Sequence, residues 1–375
     1  MDLNMADHAG RLDRLQEAMR RQGSHLAVLS AREPMRYLCG WWEEGHERLV
    51  ALFVPARGAP ALVVPAMSGQ QAAANPAGIL DVRLWRDGTG WTPVVQSLLA
   101  EFGIEEGMTV LVDEGLPAIH LLALQSMMPC VYGLAGDLLW ALRKTKSAEE
   151  IAALERAAMM IDVVVDEVIS ALREGMTERQ AVRVTLEAIE RQGSRPAFPP
   201  LVCFGENGAM PHHEADDTPL RRGDVAIIDI GCAAGDYLSD ITRTVAFGEP
   251  ADPDARRVYE TVYAAHIAAR MAAAAPDATG EQVDAAARGV IEAAGWGPEF
   301  VHRTGHGIGM SPHEPPYIVA GERQRLLPGT TFSIEPGIYL PGRFGVRIEN
   351  IVAVTDSGCR SLNAEPASSL LIIGI

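Results

Sequence analysis

Two apolar runs near the middle of the chain, VAIIDIGC (225–232) and YLSDITRTVAF (237–247), are rich in β-branched and aromatic residues. The segment AAGD between them carries the Gly and Asp of a turn. That pattern predicts a β-hairpin. Each run also holds one acid, Asp229 and Asp240, eleven positions apart. A turn centred between Ala234 and Gly235 would set the two carboxylates directly across from each other, with Cβ atoms roughly 4.5–5.5 Å apart. Like charges so placed among Ile and Val destabilise a sheet unless a cation lies between them.

Elsewhere the pattern divides the chain in two. From residue 25 to about 133, short apolar runs (HLAVLS, RLVALFVPA, PALVVPAM, TVLVDE) alternate with turn residues and helical stretches, the signature of an α/β domain. An amphipathic helix precedes them in MDLNMADHAGRLDRLQEAMRRQG, which lacks the apolar core of a signal peptide. The segment LRKTKSAEEI marks a boundary: a basic cluster, then Ser147 as N-cap with Glu150 three residues on, a capping box. Domains are therefore expected over 1–146 and 147–375, and the helix from Ser147 should run to about Arg173, with Gly175 ending it.

The second part contains a repeat. TERQAVRVTLEAIERQG (177–193) aligns with TGEQVDAAARGVIEAAG (279–295) at an offset of 102, matching Thr177 with Thr279, Gln180 with Gln282 and Gly193 with Gly295. Matching caps at both ends imply two related α/β halves. If the first half offers acids from a hairpin, so should the second. TFSIEPGIYLPGRFGVRIENIVAV (331–354) meets that demand, since a turn centred on Gly342 sets Glu335 opposite Glu349.

Four carboxylates on two hairpins suit hard or borderline divalent cations, which take oxygen ligands, often with one imidazole. Three of the ten histidines, His302, His306 and His313, fall within HRTGHGIGMSPH, where the glycines let backbone approach a crowded site. His212 and His213 form a further pair in the turn-rich GENGAMPHHE. The spacing of GHGIG is not that of a nucleotide-binding loop.

Bulk properties narrow the classes. At 48% hydrophobic and 22% charged, the 375 residues have ordinary globular composition, and the net charge of −17 disfavours nucleic acid or an anionic membrane as partner. No run reaches the length of a membrane span. Five scattered cysteines, none in a CxxC pair, read as small core residues of a cytoplasmic protein.

Taken in order, DIG, SDITRT, GHGIG, PHE, SIEPGIY and GVRIENI resemble the metallopeptidases of the pita-bread fold, family M24B, in the Xaa-Pro dipeptidase (prolidase) and aminopeptidase P branch. The resemblance covers about residues 147–375, and residues 1–146 resemble the family's creatinase-type N-terminal domain. It implies an α/β protein with a duplicated, pseudo-twofold catalytic domain, working as a homodimer. By position, Asp229, Asp240, His306, Glu335 and Glu349 match the ligands of two divalent ions, with Asp240 and Glu349 bridging them. Manganese is the metal the family most often implies, with cobalt or zinc as alternatives.

The implied reaction is hydrolysis of the bond before proline, in dipeptides or at the N-terminus of short peptides, by a hydroxide bridging the two metals. The resemblance makes Glu335 the proton shuttle, His313 a donor to the oxyanion and His212 a substrate contact. It places His302, Tyr339 and Arg347 around the proline-side pocket. The competing readings are a structural ion-pair partner for Arg347 and strand packing for Tyr339, and His213 reads as a neighbour rather than a participant. Two departures, Pro312 before His313 and Cys203 in LVCFGENG, touch no ligand, and Cys203 is taken as packing. Rival readings are a non-peptide C–N hydrolase or lyase on the same fold, and a non-catalytic binding module, which an intact ligand set disfavours.

Overall fold

The computed structural model describes residues 7–374. The amphipathic N-terminal segment forms the helix His8–Gln22, its N-terminus capped by the Asp7 side chain, while residues 1–6 of the expected helix lie outside the described residues. The chain divides into two compact units, Met1–Arg143 and Lys144–Ile375.

The first unit is built on one six-stranded mixed sheet. Its strands are β1 (Leu26–Leu29), β2 (Ala51–Pro55), β3 (Ala61–Pro65), β4 (Asp81–Trp85), β5 (Thr109–Val112) and β6 (Val131–Leu134), in the order β4-β3-β2-β1-β5-β6. The strands β1, β2 and β3 are buried along their whole length. That explains why their sequences read as unbroken apolar runs rather than alternating ones.

The second unit carries the repeat. Its first half pairs the helices Ala148–Ala171 and Glu178–Arg191 with a sheet of β7 (Leu201–Phe204), β8 (Val225–Ile230), β11 (Ile241–Phe247) and β19 (Leu371–Ile373). The short strands β9 (Ala233–Ala234) and β10 (Tyr237–Leu238) continue the β8/β11 hairpin to its tip. Its second half pairs Ala255–Ala273 and Gly280–Ala293 with β12 (Gly305–Gly307), β13 (Glu314–Ile318), β14 (Thr331–Ile334), β17 (Asn350–Thr355) and β18 (Gly358–Ser361). Between β14 and β17 the chain makes a separate hairpin of β15 (Gly337–Leu340) and β16 (Phe344–Arg347).

The duplication is visible in detail. Thr177 with Gln180, and Thr279 with Gln282, both close reciprocal capping boxes, as Ser147 does with Glu150. Each of the two threonines also makes an isolated antiparallel bridge, Thr177 to Pro219 and Thr279 to Arg325.

One register differs from expectation. Tyr237 pairs with Ala234, so the tip of the first hairpin is Gly235–Asp236 and Asp229 lies across from Thr242 rather than Asp240. Asp240 falls just before β11, two residues from that partner, so it is a diagonal neighbour on the same face of the sheet. Direct opposition fails; convergence survives, because a slip of two residues preserves which face a side chain occupies. In the second hairpin, Gly337 pairs with Arg347 and Tyr339 with Gly345, the register that a turn at Gly342 requires.

Candidate active site

The acids sit where the strands break. Glu335 follows β14 immediately and is succeeded by Pro336, which has no N–H to continue the ladder. Glu349 immediately precedes β17, and Asp240 immediately precedes β11. Only Asp229 lies within a strand.

The hairpins of the two halves are joined beside these breaks by threonines. Thr242 forms a backbone bridge with Glu349 and donates its hydroxyl to Glu349 Oε2 at 2.7 Å. Arg347 donates to the same hydroxyl at 3.2 Å, and Thr244 Oγ1 donates to the Arg347 carbonyl at 2.8 Å. Alternation along β11 therefore puts Thr242 and Thr244 on the face that meets the second half.

His306 enters from β12 under close backbone packing. A Cβ on Gly305 would fall 1.9 Å from the Ser333 carbonyl oxygen, and one on Gly307 would fall 2.4 Å from the Glu314 carbonyl oxygen. Glycine on both sides is thus a steric requirement. The Nδ1–H of His306 donates to the Gly307 carbonyl at 3.1 Å, which turns Nε2 toward the acids, where it can donate to Glu335 in the metal-free protein or give its lone pair to a metal. Nε2 stands 3.2 Å from Glu335 Oε1 and 3.9 Å from Asp240 Oδ2.

The electrostatics are those of a crowded carboxylate cluster. Burial, then the charges of Glu349, Asp229 and Glu335, raises the Asp240 carboxyl well above its ordinary range. Burial, with Glu335 and Asp229, does the same to Glu349. Burial works against the charge of Glu335 too, but the His306 hydrogen bond and nearby positive charge outweigh it and hold that group at about 2. Asp229 is clamped by Arg347, whose Nη2 lies 2.5 Å from Oδ2.

This donor set fits divalent metal. Asp240, His306 and Glu349 each present a ligand atom, all within 4.8 Å of one another. Among the described residues Asp229 Oδ1, Asp240 Oδ1 and Glu349 Oε1 are buried with no hydrogen-bond partner. Buried carboxylate oxygens without donors are costly, and a cation supplies what they lack. Oxygen-rich ligation with one imidazole suits manganese, cobalt or zinc.

The remaining predicted residues surround the cluster. Arg347 Nη1 donates to the Tyr339 hydroxyl at 2.8 Å, and His302 Nε2 lies 2.9 Å from the same oxygen, so Asp229, Arg347, Tyr339 and His302 form one chain. Burial pushes the Tyr339 hydroxyl up to about 12. The ring of His313 lies tilted against that of His306 with centroids 3.9 Å apart, and burial, with His306 and Arg303 nearby, lowers it to about 4. His212 is exposed on the loop after β7, close to His302 and His313; burial is the main cause that lowers the proton affinity of His302, and His212 is a minor one. His213 turns inward instead, its Nε2 2.9 Å from Glu178. Burial drives the Cys203 thiol up in pKa, consistent with packing.

Several contributors escaped the sequence reading. Thr242 and Thr244 looked like strand formers. Ser333 accepts from the His306 amide at 3.1 Å and donates to Glu335 Oε1 at 3.1 Å. Asp284 accepts from both the amide and the hydroxyl of Thr304, whose carbonyl receives the Glu335 amide. Spacing by two residues from Asp240 and Glu335 was the signal for Thr242 and Ser333.

A duplicated α/β unit whose halves contribute acids to one imidazole-containing cluster defines a pita-bread metal hydrolase. The chain belongs to metallopeptidase family M24, whose model matches residues 152–356, and a creatinase/prolidase N-terminal domain model matches residues 11–145. It is a metallopeptidase. It is 42% identical over 339 residues to "Probable dipeptidase PepE" of Mycobacterium bovis, covering 90% of this chain and 89% of the relative. It is 33% identical to the Xaa-Pro dipeptidase of Lactobacillus delbrueckii subsp. lactis, covering 92% and 95%. The crystal structure of a prolidase from Thermococcus sibiricus superposes with a TM-score of 0.93 at 32% identity, covering 99% of this chain and all of that one. No helix among the described residues is long and apolar enough to cross a membrane.

Proposed function

We propose that this metallopeptidase is a dipeptidase acting on the bond before proline, in Xaa-Pro dipeptides or at the N-terminus of short peptides. The observation that carries the reading is the trio of partnerless carboxylate oxygens on Asp229, Asp240 and Glu349 beside the inward-facing Nε2 of His306. Similarity to an Xaa-Pro dipeptidase and to a prolidase supports the proline preference. Asp229, Asp240, His306, Glu335 and Glu349 would hold two divalent ions, manganese in our reading, with Asp240 and Glu349 serving both. Bound there, such ions acidify a water and polarise the scissile carbonyl.

The protein's own groups do the rest. Glu335 accepts the proton of the attacking water and returns it to the leaving nitrogen. His313 donates to the oxygen that gains charge, and His212 contacts the substrate backbone. The Asp229, Arg347, Tyr339 and His302 chain shapes the proline side of the pocket and keeps Asp229 oriented. We further read the chain as a homodimer with domains 1–146 and 147–375. We place it in the cytoplasm, a reading supported by five free cysteines.

The test is metal analysis of the purified protein with turnover of matched Xaa-Pro and Xaa-Ala dipeptides and an Xaa-Pro tripeptide. Metal-dependent cleavage favouring Xaa-Pro is expected, and its absence rejects the proline reading. Asp240→Ala should lose metal and activity together; full activity in that variant places the site elsewhere.

A further inference from the structure

The repeat is broken at one informative place. The first helical residue after the N-cap is Glu178 in the first copy and Gly280 in the second. In the second copy that position has no room, since a Cβ on Gly280 would lie 2.8 Å from the Tyr317 carbonyl oxygen and 2.8 Å from Glu322. In the first copy it holds a carboxylate that is 0% exposed and has no role in the reaction scheme above.

That carboxylate gathers a whole loop. Its Oε1 accepts from the Phe204 amide at 2.7 Å and from Asn207 Nδ2 at 3.0 Å. Its Oε2 faces His213 Nε2 at 2.9 Å and accepts from the Asp216 amide at 3.0 Å. These donors span the end of β7, the following turn and the segment on both sides of His212. Glu178, His213 and Asp216 also have the spacing of a cation site, but both Glu178 oxygens already accept two hydrogen bonds. A metal bound through Oε2 would have to displace the Asp216 amide.

We propose that Glu178 is a positioning residue for His212: by drawing His213 inward, it turns the adjacent imidazole outward toward bound peptide. The inference rests on the reading of His212 as a substrate contact. Two further contacts fix the same loop, Cys203 Sγ to the His213 carbonyl at 3.9 Å and the close approach of Gly208 to Gly345 on β16, where an added Cβ at Gly345 would fall 2.0 Å from the Gly208 carbonyl oxygen. The loop is thereby seated against the strand that carries Arg347. Glycine at the corresponding place in the second half means that only one half needs such an anchor.

A double-mutant cycle tests this on the metal-loaded enzyme with a dipeptide that it cleaves. Glu178→Gln replaces an acceptor-only group with one that must point an N–H at an N–H donor. We expect KM to rise about tenfold or more with metal content unchanged. In a His212→Ala background, Glu178→Gln should cost less than about twofold more, because the group it positions is gone. Additive losses, or loss of metal in Glu178→Gln, overturn the proposal. Should Glu178→Gln fail to fold, His213→Leu carries the same cycle, with His213→Gln recovering most of the loss through its own N–H. If His212→Ala alone changes nothing, the substrate-contact reading falls and this inference with it; if His212→Ala is impaired but the cycle is additive, only this inference falls.

Discussion

Thr242 offers the sharpest test of how the two halves are joined. Its buried hydroxyl donates to Glu349 Oε2 at 2.7 Å and accepts from Arg347 Nε at 3.2 Å, so one oxygen serves two ionisable partners from the other half. Thr242→Val keeps the shape of the side chain and removes both bonds. A hydrogen bond to a charged group such as the Arg347 guanidinium contributes about 1.5–3 kcal/mol, and a buried acceptor or donor left unsatisfied, as on Glu349, costs about 1–3 kcal/mol. The two bonds share one network and do not add in full, so the expected loss is about 3 kcal/mol. Urea unfolding of the metal-free protein at pH 7 measures it, with Thr242→Ser as the control that retains the hydroxyl. In the native protein the same change frees Glu349 to rotate, and manganese affinity by titration calorimetry should fall about 10–100-fold, the usual cost of removing a group that orients a ligand. The reasoning is refuted if Thr242→Val unfolds within about 0.5 kcal/mol of wild type and binds metal as tightly.

Three further outcomes are expected. Metal-free Asp240→Asn should be more stable than metal-free wild type at pH 7.5. Burial and neighbouring carboxylates raise the folded pKa of Asp240, so the stability its proton confers is present at low pH and lost as pH rises through that value. Urea midpoints that put the variant below wild type at pH 7.5 would contradict this. His266 is fully buried, and burial lowers it to about 3. The unfolded chain therefore takes up its proton first, so wild type should lose about 2 kcal/mol more than His266→Gln between pH 6.5 and 4.5; parallel stability curves reject the assignment. Lys146 and Glu314 form a buried ion pair at 2.6 Å, so Lys146→Met should cost about 3–5 kcal/mol in urea unfolding, and Lys146→Met with Glu314→Gln should recover part of it.

What could be read from the chain, and what could not, follows from the reach of each signal. Capping boxes are local, and all three, at Ser147, Thr177 and Thr279, form as their sequences imply. The second hairpin has a glycine at its tip, Gly342 with φ of 72°, so its turn could be centred correctly. The first hairpin has AAGD, which accommodates a turn at either of two centres, and the tip falls one residue later than its composition suggested. Hydrogen bonds between the halves, such as Thr242 to Glu349, depend on how two hairpins more than a hundred residues apart meet, and no local pattern encodes that. Glu178 was invisible for a different reason: an acid in the first turn of a helix is ordinary there, and only its contrast with Gly280 marks it.

Asp229 and Asp240 do not oppose each other, so repulsion across a single pair is not what demands a metal. The demand is collective: Asp240 is raised by burial and by three other carboxylates, two of them from the second half. A hairpin alone could relieve a pair of acids by slipping one residue, which would send one of the two side chains to the opposite face. Here that escape is closed, because Thr242 and Thr244 bind Glu349 and Arg347 on the same face that Asp240 occupies. The register is therefore held by contacts between the halves, and the carboxylates stay together at a cost that bound metal offsets.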